Sequence, residues 1–287
     1  MQRKAYFCAI AAVLLWATVA SAFKISLRYS QVLPLLFCAS VFSTLVLFCF
    51  AAFQSKLPML KKSAVKDYLY SALLGLLNPC LYYMALFTAY SRLPAQEALT
   101  LNFTWPIMLV LLSIPLLRQR ITARSVIAIS ISFAGVTVIA TRGNILAFRF
   151  TDVTGVLLAV ASSVIWAVFW IYSVRDKRDE VVKLLLNFVF GSCFILIAML
   201  LFSDIRFPTG RGVLGAMYIG LFEMGATFLL WLTALKLSKT TAHVAGLIYL
   251  VPFFSIVVIH FSVGEEIFLS TITGLVLIVA GIVLQRV

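Results

Sequence analysis

GLFEMGATFLLW, residues 220–231, places one glutamate inside an apolar run. From Gly212 to Leu235 that acid, Glu223, is the only charged side chain. A run of this length matches the roughly 20 mostly apolar residues that a helix needs to cross a bilayer. With about 1.5 Å of rise per residue, Glu223 falls near mid-membrane. A carboxylate there costs roughly 2.5–3.5 kcal/mol on insertion scales, so it has to face protein or water.

The rest of the 287-residue chain repeats the pattern. It is 63% hydrophobic and 11% charged, with a mean hydropathy of +1.09. Soluble domains are about 45–50% apolar and about 25% charged. Ten apolar runs are long enough to span, near residues 5–23, 32–53, 66–88, 95–117, 121–140, 153–173, 182–202, 212–235, 241–262 and 267–285. An all-α integral membrane protein of ten transmembrane helices follows, because an open sheet edge has no hydrogen-bond partners in lipid. The connections are short and leave no room for a separate soluble domain. Arg3 and Lys4 before the first run resemble a signal peptide. The length of that run and the spans that follow favour a retained first helix.

The net charge of +13 does not point to nucleic acid, because most Lys and Arg sit in the short breaks between apolar runs. If the N-terminus is cytoplasmic, the inner segments hold 16 of the 23 Lys and Arg. That bias is the usual orientation signal, and it predicts both termini on the cytoplasmic side of a multi-pass cell (inner) membrane protein. The five cysteines, Cys8, Cys38, Cys49, Cys80 and Cys193, all lie in apolar runs without metal or redox spacing and read as small buried hydrophobes. No metal and no cofactor is called for.

Internal similarity divides the chain. QEALTLNFTWPI (96–107) lies on AHVAGLIYLVPF (242–253) at an offset of 146, which brings Pro106 onto Pro252. The same offset lays FAG (133–135) on VAG (279–281), and LLWA (14–17) meets VIWA (164–167) at 150. Two five-helix repeats follow, residues 1–150 and 151–287. Five is odd, so the halves have opposite orientations in the membrane. Inverted repeats around a central cavity are a device of secondary transporters that work by alternating access.

These pieces also resemble a known family. LLWATVASAFKIS (14–26), with Trp16 and Lys24, is similar to the opening helix of the drug/metabolite transporter superfamily, EamA type. WLTALKLSKTTAHVAGLIYLVPFFSIVVIHFSVGEEI (231–267) and the last helix with Gly274 and Gly281 carry the same resemblance. ALTLNFTWPIMLVLL (98–112), with Asn102, Phe103, Trp105 and Pro106, is similar to a segment of the aromatic amino-acid exporter branch. The resemblance implies ten helices, a cavity between helices 1, 3, 4 and helices 6, 8, 9, and export of amino acids or related metabolites. The family often carries a glutamate after helix 4 and again after helix 9. Here the second is Glu265 or Glu266, whereas the first position reads LLRQRI (116–121).

Candidate transport residues follow from polarity and position. Glu223 is either a proton-coupling carboxylate, a partner for a substrate ammonium, or an acid bonding helix 8 to a neighbour. Asn78 precedes Pro79 in mid-helix, where proline frees a carbonyl; an offset of 145 lays it on Glu223, so it either faces that acid across the cavity or bonds to backbone at a kink. Pro106 and Pro252 mark helix breaks of the kind found beside binding sites. Asn102, Trp105, Tyr249 and Tyr82, with the pair Trp16 and Trp166, are candidate walls; aromatic packing or an interface belt is the alternative for each aromatic. Lys24 reads as a snorkelling end residue, Glu97 as a first-turn acid, His243 and His260 as interfacial histidines, Glu265 and Glu266 as caps of helix 10, and RDKRDE (175–180) as a solvated turn.

The function expected is a secondary transporter whose partners are a small-molecule substrate (an amino acid or metabolite), the lipid bilayer and, where Glu223 is a coupling group, protons. The alternatives are a channel-like or structural membrane subunit and a membrane-embedded transferase. The ten acids are scattered and no GxxxxGK[ST] motif occurs, which disfavours metal–diphosphate chemistry and nucleotide hydrolysis.

Overall fold

The computed structural model describes residues 2–61, 63–117, 123–144, 152–238 and 247–286. Among these the protein is helical throughout, with no strand. In chain order the principal helices are α1 (Gln2–Ser26), α2 (Val32–Phe53), α3 (Val65–Arg92), α4 (Ala95–Leu116), α5 (Ala123–Ala140), α6 (Val153–Arg175), α7 (Glu180–Phe202), α8 (Arg211–Leu235), α9 (Leu247–Val263) and α10 (Leu269–Arg286). A five-residue helix, Leu57–Lys61, lies between α2 and α3.

Seven helices, α1 to α4 and α6 to α8, are long and apolar enough to cross a membrane. The apolar stretches of α5, α9 and α10 are shorter, so the ten full-length runs expected from sequence are met in seven cases. Part of the difference has a simple origin, since the starts of the runs at 121 and 241 fall outside the described residues.

The distribution of side chains follows from the solvent. Large apolar groups such as Phe7, Phe53, Phe202 and Phe261 are exposed, which in water would be unfavourable and in lipid is not. Aromatic rings also fill the interior, with Phe23, Tyr83, Phe87, Phe169 and Phe188 almost fully buried. Glycine sets the closest helix approaches, as small residues do in membranes. A Cβ on Gly135 of α5 would meet the Gly274 carbonyl of α10 at 2.6 Å, and one on Gly191 of α7 would meet the Gly75 carbonyl of α3 at 2.9 Å.

The turns between helices use ordinary caps. Asp152 accepts a hydrogen bond from the Gly155 amide at the start of α6, at 2.7 Å. Gly264, with φ +80°, ends α9 in the left-handed region, where a side chain would be strained. The RDKRDE turn is tied down rather than merely solvated. Asp179 caps α7 through the Val181 and Val182 amides and pairs with Lys56 at 2.7 Å. Asp176 holds Arg178, and Lys183 is buried against Glu180 and the Ser173 carbonyl. Burial acts to raise the Asp179 carboxyl, but the bond to Lys56, its charge and the two amides outweigh it and hold the group below its ordinary value of 3.8.

Candidate functional site

Three of the helices that surround the centre of the molecule are interrupted. In α3 a wide turn over Leu76–Leu81 contains Asn78 in a non-helical conformation (φ −144°, ψ 118°). In α8 a similar turn covers Ile219–Glu223 and is followed by Gly225 at φ −110°, ψ −93°. Helix α4 stops at Asn102 and restarts at Trp105. Wide turns of this kind redirect side chains and occur frequently at functional sites.

The interruptions line a cavity of about 600 Å³. Its walls come from α1, α3, α4, α6, α8 and α9, and α2, α5, α7 and α10 contribute no described lining residue. All five tryptophans of the chain, Trp16, Trp105, Trp166, Trp170 and Trp231, face this space. Four of them, Trp16, Trp166, Trp170 and Trp231, are linked through Phe228 and direct ring contacts. Trp16 meets Phe228 edge-on at 6.0 Å and Trp231 at 5.6 Å. Trp166 meets Phe228 at 5.8 Å and stacks on Tyr82 at 4.5 Å. Stacked and edge-to-face rings hold one another in place.

Glu223 is the only acid on the described lining, and Arg175 the only base. The Tyr83 hydroxyl donates to Glu223 Oε1 at 3.0 Å. Tyr82 and Tyr83 are adjacent and leave the α3 turn in different directions: Tyr82 faces the cavity, while Tyr83 is fully buried against Phe23 and Phe87. Asn102 accepts from Tyr82 at 3.4 Å and donates to Ser162 at 2.8 Å. Thr104 donates to Ser163 at 3.0 Å, so the α4 break is bonded to α6 at two points.

Of the residues singled out from sequence, Glu223, Asn102, Trp105, Trp166, Tyr82 and Trp16 line the cavity. Asn78, Tyr249, Pro79, Pro106 and Pro252 do not. The Asn78 side chain is fully buried, is not among the described lining residues and makes no hydrogen bond among the described residues, so it does not satisfy freed backbone. The ring of its neighbour Pro79 packs on Gly191 of α7, which carries this turn away from the cavity. Tyr249 packs edge-on behind Phe103 at 6.2 Å. Pro106 and Pro252 each stand second in an α-helical segment, where a missing N–H is harmless.

The far end of the cavity is tied by polar contacts. Lys24 does not snorkel; its ammonium donates to the Tyr90 and Leu93 carbonyls at 2.9 and 2.6 Å, where α3 ends. Glu265 caps α4 rather than α10, accepting from the Ala95 and Gln96 amides at 2.8 and 3.3 Å. The Gln96 side chain donates to the Glu266 carbonyl and accepts from the Phe268 amide. Glu97 is buried and pairs with Arg142 at 2.7 Å. The His260 ring lies 2.9 Å from the Glu265 carbonyl. His243 lies outside the described residues. No cluster of three metal-binding side chains occurs among the described residues.

The sequence profile of the EamA-like transporter family matches residues 3–141 and 153–286. The chain belongs to the EamA-like transporter family. A relative from Bacillus subtilis (strain 168), described as the uncharacterized transporter YvbV, is 30% identical over 95% of this chain and 88% of its own length. An aromatic amino acid exporter, YddG of Ancylobacter novellus, is 29% identical over 54% of this chain and 54% of its own. A solved crystal structure matches with a TM-score of 0.68 over 99% of this chain and 97% of that one, at 22% identity, which is a likeness of fold. As an EamA-like transporter the protein is a multi-pass membrane protein.

The sequence reading did not assign Tyr83, Trp170, Phe228, Trp231 or Arg175 to the site. Trp170 was accessible as the residue one turn beyond Trp166. Tyr83 was not, because its partner is 140 residues away.

Proposed function

We propose that the chain is a secondary transporter that exports amino acids or related small metabolites by alternating access. The observation that carries this reading is the central cavity, whose aromatic walls surround one acid. Its volume lies within the roughly 300–1,000 Å³ of small-molecule sites.

The two separate family matches support two halves, residues 1–150 and 151–287. Breaks at matching places in α3 and α8, and prolines at matching restarts in α4 and α9, support their equivalence. Five helices in each half make the halves inverted, with all ten helices crossing the inner membrane. The Lys and Arg count supports a cytoplasmic location for both termini. The end of the cavity bordered by Arg175 and Leu235 then opens inward, and the contacts made by Lys24, Gln96 and Glu265 close the outer side. Glu223 is the coupling group, exchanging protons as the cavity changes sides.

The test is counterflow in proteoliposomes with a panel of labelled amino acids and small metabolites. Saturable exchange of at least one of them is expected. Non-saturable flux would indicate a channel, and no flux for any solute would remove the transporter reading.

A further inference from the structure

We propose that the cargo of this cavity is a protonated aromatic amine that lacks a carboxylate, the decarboxylated counterpart of an aromatic amino acid. This rests on the transporter reading above and narrows its substrate class.

The argument begins with the charges. Glu223 and Arg175 are the only charged residues on the described lining, and they stand at different depths. Glu223 is at the middle of α8 (Arg211–Leu235), while Arg175 is the last residue of α6 (Val153–Arg175). The separation along the membrane normal is about 15 Å, half of the roughly 30 Å hydrocarbon core. An amino acid carries its ammonium and carboxylate on one carbon. With the ammonium at Glu223, the carboxylate would lie beside the same acid and far from Arg175. Arg175 is also engaged, donating to the Leu116 carbonyl at 3.3 Å and lying 5.5 Å from the Tyr172 ring centre.

Neutral donors do not take the place of a cation beside Glu223, where the described lining has none. The Tyr82 hydroxyl is given to Asn102, and the Asn102 amide donates to Ser162. Part of the backbone at the helix breaks is committed too. The Phe103 and Thr104 amides donate to the Leu99 and Leu101 carbonyls, and the Met224 amide to Ile219. Pro106 has no N–H. The five indole N–H groups and the Tyr90 hydroxyl are further donors on the described lining, but they are neutral and do not offset a carboxylate's charge.

The walls, by contrast, suit a cation on an aromatic body. Trp16 and Trp231 line the space, and indole rings attract an ammonium and pack against an aromatic ring, whereas Trp166 is itself stacked with Tyr82 and Phe169. The same space would therefore bind phenethylamine, tyramine or tryptamine through both ends of the molecule. Phenylalanine, tyrosine and tryptophan would bring a carboxylate for which the described lining holds no cation at the depth of Glu223.

The experiment is counterflow by the wild-type, full-length protein, so no variant's folding enters the primary comparison. Phenethylamine, tyramine and tryptamine are compared with the matching amino acids. Phenylalaninamide and the methyl ester test charge at nearly constant shape. The trimethylammonium form of phenethylamine, with a fixed charge, excludes passive leak. Amines, amide and ester are expected to exchange with a kcat/KM roughly tenfold or more above the amino acids. In Glu223→Gln the ratio should fall towards one. Amino acids moving as well as the amines would overturn the inference and leave the transporter reading intact, as would saturable exchange confined to metabolites of another class. An unchanged ratio in Glu223→Gln would also overturn it. Failure of every solute to exchange would remove the transporter reading as well.

Discussion

Tyr83→Phe isolates one interaction at the centre of the molecule. The substitution removes a single hydroxyl, the one that donates to Glu223 Oε1 at 3.0 Å. The ring is fully buried and meets Phe23, Phe87 and Tyr82, and phenylalanine keeps those contacts. A hydrogen bond to a charged group contributes about 1.5–3 kcal/mol. Tenfold corresponds to about 1.4 kcal/mol, so exchange should fall roughly ten- to hundredfold in kcat/KM if that bond orients the carboxylate. Tyr83 is not part of the cavity wall, so the effect must pass through Glu223. The assay is initial-rate exchange in proteoliposomes, with a melting curve of the detergent-solubilised protein beside it. Exchange within twofold of wild type would refute the positioning role. A loss of exchange with an equal loss of folded protein would show that the bond serves packing instead.

Other positions give independent outcomes. Trp166→Ala removes a wall shared by Tyr82, Trp170 and Phe228, and should raise KM more than it lowers kcat, read by substrate saturation curves. Asp179→Ala deletes the α7 cap and the partner of Lys56, with an expected loss of about 1 kcal/mol in thermal denaturation at pH 7. The Asp179 carboxyl is held below 3.8, so that stabilisation is present above this value and lost as pH falls through the folded-state value. The difference between wild type and Asp179→Ala should therefore shrink on acidification. Gln96→Ala removes both bonds to the 266–268 segment; a cysteine introduced at Leu99 should then react faster with a membrane-impermeant maleimide added outside.

The long spans were readable because lipid demands length and apolarity together, and α1, α2, α6 and α7 meet both without interruption. Glu223 was readable for the same reason, as a lone charge in such a run. Which side of a span faces the cavity was not. In water a polar face marks the outside of a helix, but here Phe228 towards the cavity and Leu214 towards lipid are both apolar, so periodicity loses its meaning. The turn at Asn78 shows the consequence, since Pro79 packs on a glycine of α7 and takes Asn78 away from the centre. Lys24, Glu265 and Gln96 act on elements 66 to 172 residues distant, and their own surroundings in sequence suggested only end caps.

The most direct test of the account is substrate accumulation driven by an imposed pH gradient, compared between wild type, Glu223→Gln and Glu223→Asp in the same proteoliposome preparation. The account predicts that the glutamine variant loses gradient-driven accumulation while the aspartate variant keeps part of it. Accumulation by Glu223→Gln equal to wild type would contradict the central claim, and would leave Glu223 as an acid that only holds α8 against Tyr83 of α3.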